Sequence, residues 1–139
     1  FDNPDALIDK IDAVSIVTPT PLHRQTAEPF LKAGKAVLVE KPLAHTLEAA
    51  QALRDIADQF GATLQVGHIE RFNAAFANYI NNVPNPVFIE SHRLCSYNNR
   101  GLDVDVILDL MIHDIDLIHW MSRSNIVSVY AKKVEKYIK

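Results

Sequence analysis

Apolar residues along the chain fall into short blocks set apart by proline, glycine and polar punctuation. Ala13-Val14-Ser15-Ile16-Val17 is one such block, closed by Thr18-Pro19-Thr20-Pro21, and it predicts a buried strand feeding a loop. Ahead of it, Asn3-Pro4 suits an N-cap and first-turn proline for a short helix over residues 5–10. A helix is predicted from Leu22 to Ala33, stopped by Gly34, and a second strand from Lys35 to Val39. Thr46 then caps a helix that runs to Phe60, with Glu48 in its first turn and Gly61 after its end, and a third strand covers Thr63 to Val66.

Strands and helices alternate at this spacing, and the strands read as apolar throughout. That pattern predicts an α/β fold: half of a doubly wound parallel sheet, covered on both faces. Ligands bind such sheets beyond the carboxyl ends of the strands. The stretches Thr18 to Thr20, Glu40 to Pro42 and Gly67 to Arg71 are therefore expected along one crevice.

A further helix is predicted near Arg71 to Asn81, after which Val83-Pro84-Asn85-Pro86 marks entry to a second domain. Val87 to Leu94 and Ile126 to Val134 read as strands flanking a long helix from Asp105 to Met121. The division expected is residues 1–75 for the sheet domain and 76–139 for the beginning of the next. Two strands do not make a stable sheet, and their unpaired edges invite pairing with another chain.

Composition narrows the class. With 48% hydrophobic and 22% charged residues in 139, the chain is ordinary for a globular protein that buries a core. A net charge of -3 and a pI near 6.0 provide no basic surface, so no nucleic-acid partner is expected. The single cysteine, Cys95, forms no intrachain disulfide, and a reducing, cytoplasmic home is expected. Asp109, His113, Asp114 and Asp116 interrupt the apolar stretch from Val106 to Met121, so no membrane span is expected. The chain opens on Phe1 without a signal region, and residues are expected upstream of it.

The long helix carries the densest chemistry. Apolar residues surround it (Ile107, Leu108, Leu110, Met111, Ile112, Ile115, Leu117, Ile118), which predicts a mostly buried element. Asp105, Asp109, His113 and Asp116 nevertheless follow at spacings of four, four and three, in one stripe. Such a stripe lines a cavity, or it is a partly solvated face on which His113 bonds Asp109. Glu40-Lys41-Pro42 ends a strand directly, and the proline pushes Lys41 toward an extended turn that projects its amine past the sheet. Lys41 is then either a site residue or a solvated strand end, and His68, after the third strand, is either a cofactor contact or a turn residue. Structural roles are expected for His45, His92 and His119.

Four segments, taken together, resemble the glucose-fructose oxidoreductase, inositol dehydrogenase and MocA (Gfo/Idh/MocA) family. They are Val17 to His23, Val39 to Leu43, Val66 to Asn73 and Asp109 to Asp116. The resemblance implies a Rossmann sheet followed by an α+β substrate domain with a mostly antiparallel sheet, and a homo-oligomeric enzyme. It also implies Lys41, Asp109 and His113 as the catalytic set, with His113 the proton acceptor and the Lys41-Pro42 peptide cis. By the same carry-over Thr18, Pro19, His23, Glu40, Lys41 and His68 border the cofactor, while Arg71 and Arg100 join Lys41, Asp109 and His113 at the substrate. The cofactor implied is NAD or NADP; the glycine-rich turn and the ribose-reading residue, which together would tell them apart, are not in this sequence.

The expected reaction is oxidation of a sugar or nucleotide-sugar secondary alcohol, in which Lys41 steadies the alcohol oxygen and Asp109 orients His113. Within the family, the segments Gly67 to Asn73 and Asp109 to Leu117 look most like enzymes that oxidise the 3-hydroxyl of UDP-N-acetylglucosamine. Inositol or a free aldose is the alternative substrate. Two other readings compete: a hydrolase or lyase whose metal sits on Asp109, His113 and Asp116, and a non-catalytic binding module.

Overall fold

The computed structural model describes residues 4–82, 86–94 and 104–134. Three parallel strands, β1 (Ala13–Ile16), β2 (Ala36–Glu40) and β3 (Leu64–Gly67), form a sheet in the order β1-β2-β3. Helix α1 (His23–Lys32) connects the first pair and α2 (Leu47–Phe60) the second. Each strand-helix-strand unit is the connection that parallel pairing requires.

Local chemistry explains where these elements stop. Thr46 Oγ1 accepts from the Ala49 amide at 3.1 Å and opens α2, and Gly61 closes it in the left-handed region at φ 61°. Gly34 (φ 70°) follows α1 in the same conformation. The predicted Leu22–Ala33 and Thr46–Phe60 helices thus stand nearly as drawn, and the first helical segment is a 3-10 helix over Pro4–Lys10.

Ile16, Val37 and Val39 point to one side of the sheet, where Ala27, Phe30 and Leu31 of α1 and Leu53 and Ala57 of α2 complete the core. On the other side Ser15, Leu38 and Gln65 lie in register and all are exposed. The expectation of cover on both faces therefore fails for the described residues. Both connections place their helices on one face, so burial alternates along the strands even where the sequence is apolar.

Beyond β3 the chain makes a 3-10 turn, Ile69–Phe72, and then α3 (Ala74–Asn82). The predicted helix from Arg71 is split at Asn73, whose Oδ1 accepts from the Ala75 amide and starts α3 anew. The long helix is also two pieces: a π-helical turn, Ile107–Met111, running into α4 (Ile112–Ser122). It is only half buried, since Leu117 alone among its described residues is fully buried while Ile107, Met111 and Ile115 are exposed.

The strands expected over Val87 to Leu94 and Ile126 to Val134 are not formed. Both segments run without ladder partners, with Val87, Val127 and Tyr130 almost fully exposed. A strand is stabilised by its neighbours' hydrogen bonds, and neither segment has a neighbour among the described residues. No described helix is long and apolar enough to cross a membrane.

Candidate active site

The carboxyl ends of β1 and β2 open onto a cleft of about 260 Å³, lined by Thr18, Pro19, Glu40, Lys41, Val104 and Asp109 among others. Lys41 stands at its centre because β2 ends at Glu40 and the chain turns at a cis Lys41-Pro42 peptide. Glu40 Oε2 accepts from the Lys41 amide at 3.0 Å, which ties the carboxylate to the turn. A Cβ at Gly67 would lie 3.2 Å from Glu40 Oε1, so the glycine at the end of β3 makes room for that carboxylate.

The π-helical turn brings the other half of the site. Asp105 Oδ1 accepts from the amides of Ile107 and Leu108 and starts the turn. Within it, the Asp109 carbonyl accepts from Lys41 Nζ at 2.6 Å and the Asp109 carboxylate accepts from the same nitrogen at 3.1 Å. Lys41 and Asp109 are 68 residues apart in sequence and join here with the lysine side chain one-fifth exposed. Widened turns of this kind recur at functional sites because they turn carbonyls and side chains out of the regular helical path.

His113 lies on the following turn, and its buried Nδ1 has no hydrogen-bond partner. The expected Asp109–His113 bond is absent because Asp109 is committed to Lys41 and the π turn breaks the regular four-residue stagger. Burial holds the His113 imidazole below its ordinary range, with the charges of Lys41 and then Arg93 acting in the same direction. Glu70 and Asp114 oppose the shift without cancelling it. The result is a neutral ring with a free nitrogen.

The helical stripe is thus divided among separate partners. Asp105 caps, Asp109 meets Lys41, and Asp116 accepts from Arg71 Nε at 2.7 Å and from Arg71 Nη2. No group of three or more metal-ligating side chains converges among the described residues, so Asp109, His113 and Asp116 do not form the metal site considered above. Arg71, expected at the substrate, spends its fork on Asp116 and lies over the Trp120 ring at 5.8 Å. His68 Nδ1 is buried without a hydrogen bond, 3.8 Å from the Asp116 carboxylate. Arg100 lies outside the described residues, as do Asn3 and Cys95.

His23 lines the same cleft, with both ring nitrogens engaged. It is 1% exposed, and its ring nitrogens lie 2.9 Å from the Pro42 carbonyl and 2.8 Å from the Thr18 carbonyl. It therefore ties the β1 loop to the Lys41-Pro42 turn from beneath and presents no free polar atom. Truncation removes the ring from the buried Pro42 carbonyl and the part-buried Thr18 carbonyl and leaves a cavity. His23→Ala is expected to cost about 2–4 kcal/mol in denaturant unfolding, and a loss below half of the lower figure would show that the strut is dispensable.

Thr18 Oγ1 is buried beside this strut and unpartnered. His45, His92 and His119 are exposed, and His92 pairs with Glu90 at 2.8 Å. The sequence reading missed Asp114, which receives two bonds from Arg93 and one from Ser91, and it missed the partner of Arg71. Neither pairing has a sequence signal, because each joins segments more than 20 residues apart.

A lysine at the end of a parallel strand thus joins an aspartate of a later helix, with a histidine four residues beyond it. Residues 1–68 match the model of GFO_IDH_MocA, described as an oxidoreductase family with an NAD-binding Rossmann fold. The chain is similar to that family over those residues. It is 41% identical over 133 residues to the UDP-N-acetylglucosamine 3-dehydrogenase of Acidithiobacillus ferrooxidans, covering 94% of this chain and 42% of that protein. A myo-inositol dehydrogenase of Streptomyces leeuwenhoekii is 33% identical, over 86% of this chain and 40% of its own length. A solved structure of the Acidithiobacillus enzyme superposes with a TM-score of 0.83 at 39% identity, covering 96% of this chain and 46% of that one. The chain thus spans about two-fifths of the length of these curated relatives.

Proposed function

We propose that this chain is the central part of an NAD(P)-dependent oxidoreductase that oxidises a secondary alcohol of a sugar or nucleotide sugar. The 3-hydroxyl of UDP-N-acetylglucosamine is the substrate of choice. The observation that carries this reading is the joining of Lys41 and Asp109, with His113 four residues on, its charged form disfavoured by burial and its Nδ1 without a partner. The choice of substrate is supported by the 41% identical relative, whose name states that chemistry.

The cleft residues fit a nicotinamide. Thr18 Oγ1 is a buried polar atom without a partner where the β1 strand ends, and Glu40 and Lys41 face it across the cleft. Thr18, Pro19, Glu40 and Lys41 would hold the ring and its ribose, the ring supplying the hydride acceptor when bound, while His68 lines a separate hollow with Asp116. Lys41 donates to the substrate oxygen and stabilises its growing negative charge. His113 is the acceptor of the hydroxyl proton in this reading; its Nδ1 is buried, so the transfer uses the other ring nitrogen, within about 2.6–3.2 Å of the hydroxyl or through one bridging water. Asp109 holds Lys41 in place while the site awaits substrate.

Residues 1–75 serve in this reading as half of the dinucleotide-binding domain, and residues 76–139 begin the substrate and oligomerisation domain. Val87, Phe88, Val127 and Tyr130 are exposed there and invite association between copies. The 15.6 kDa chain is expected to sediment as a dimer or larger species; a single monomeric boundary at micromolar concentration would count against it.

Absorbance of the reduced cofactor, followed in the full-length protein with UDP-N-acetylglucosamine, tests the reaction. Substrate-dependent reduction supports the reading. Activity with myo-inositol in its place supports the alternative that the 33% identical relative suggests, and failure of either cofactor to bind removes both.

A further inference from the structure

The geometry points to Arg71 and Asp116 as positioning residues, whose paired contact fixes α4, and with it His113, against the carboxyl end of β3. Neither residue touches the cleft around Lys41, so the role is exercised through His113. The activity arm of the test rests on the function proposed above; the structural arm does not.

Arg71 belongs to the 3-10 turn that follows β3, and Asp116 lies 45 residues later in α4. The guanidinium donates through Nε to one carboxylate oxygen and through Nη2 to the other. A two-pronged contact of this kind fixes angle as well as distance, which a lysine cannot do. The same guanidinium lies 5.8 Å from the centre of the Trp120 ring. Asp116 and Trp120 are one helical turn apart, so Arg71 grips α4 at two successive turns and resists its rolling.

The opposite end of the helical run is held by Lys41 on Asp109. His113 lies between the two anchors, four residues after Asp109 and three before Asp116. The Asp116 side chain is 10% exposed and that of Arg71 39%, so the carboxylate end of the pair is sheltered while the guanidinium stays partly in water. His68 Nδ1, 3.8 Å from the same carboxylate, adds β3's own end to the cluster.

The surroundings of His113 depend on this grip. Burial is the largest influence on the ring, followed by Lys41 and Arg93, with Glu70 and Asp114 opposing; Arg71 and Asp116 are not among the named influences. Loosening α4 admits water to His113 and moves its titration up toward the ordinary imidazole range, whichever partner of the clamp is removed. A direct charge effect would instead move it up when Arg71 is neutralised and down when Asp116 is. The sign separates positioning from electrostatics.

The experiment follows the His113 ring by NMR across pH in full-length protein labelled at histidine, comparing the parent with Arg71→Gln and Asp116→Asn. Arg71→Lys, which keeps the charge and loses the fork, is the milder variant should either of the others fail to fold. Both neutralising variants, and the lysine variant with them, are expected to titrate higher than the parent. Titrations that stay at the parental position, or that move in opposite directions for the two neutralising variants, would overturn the proposal. Where turnover is measurable, kcat is expected to fall on the order of 10²-fold with KM little changed, as for a catalytic group displaced by about 1 Å. A parent that oxidises no sugar would remove the proposed function while the titration still decides the clamp.

Discussion

Lys41→Ala in the full-length protein is expected to lower kcat by about 10²–10³-fold, the usual consequence of losing one donor to a developing oxyanion. Lys41 reaches the cleft from a rigid strand end, and its ammonium is aimed by two oxygens of Asp109 rather than left to swing in solvent. Lys41→Arg keeps the charge but brings a planar fork into a space shaped by a tight turn, and it is expected to recover little of the loss. Steady-state kinetics with cofactor absorbance as the readout checks both. An alanine variant within a factor of about 3 of the parent would be far short of what a donor to the oxyanion contributes, and it would mean that Lys41 serves only to hold Asp109.

His113→Asn is expected to cost on the order of 10²–10⁴-fold in kcat/KM, the range a positioned general base contributes. The pH profile is the sharper check. Since burial holds His113 below the ordinary imidazole value of 6.5, the ring stays neutral and able to accept a proton on the acid side of neutrality. In the parent, kcat/KM should therefore rise with pH along a limb lying below 6.5, and that limb should vanish in the asparagine variant. If the variant retains it, another group is the base.

The same shift carries a stability prediction of definite sign. The unfolded imidazole takes up its proton as pH falls through 6.5, while the folded ring resists. The unfolded state then binds more protons, so this contribution to stability is intact above 6.5 and is lost as pH falls through and below it. Comparing the pH dependence of unfolding in the parent and in His113→Asn isolates the term.

Much of the sheet half was legible in sequence because its signals are local. Thr46 and Gly61 bound α2 through their own backbone geometry, and the strand blocks needed only their apolar runs and the loops that close them. Lys41 was legible for the same reason, since a proline directly after a strand end fixes what the chain does next. The segments that failed are those whose state depends on distant partners. Val87 to Leu94 and Ile126 to Val134 have strand-like composition, but a strand exists only where another supplies its hydrogen bonds. The buried character expected of the long helix likewise depends on what packs around it.

Sequence by itself thus determined the alternation of strands and helices, the position of Lys41 at a strand end and the presence of acids and a histidine along one helix. Tertiary structure decided how those acids are spent. Asp109 goes to Lys41 across 68 residues, Asp116 to Arg71 across 45, and His113 is left neutral with a free nitrogen. A four-residue repeat predicts neighbours only on an unbroken helix. The π turn shifts that repeat, and charged groups in a half-buried setting pair with the nearest opposite charge the fold presents.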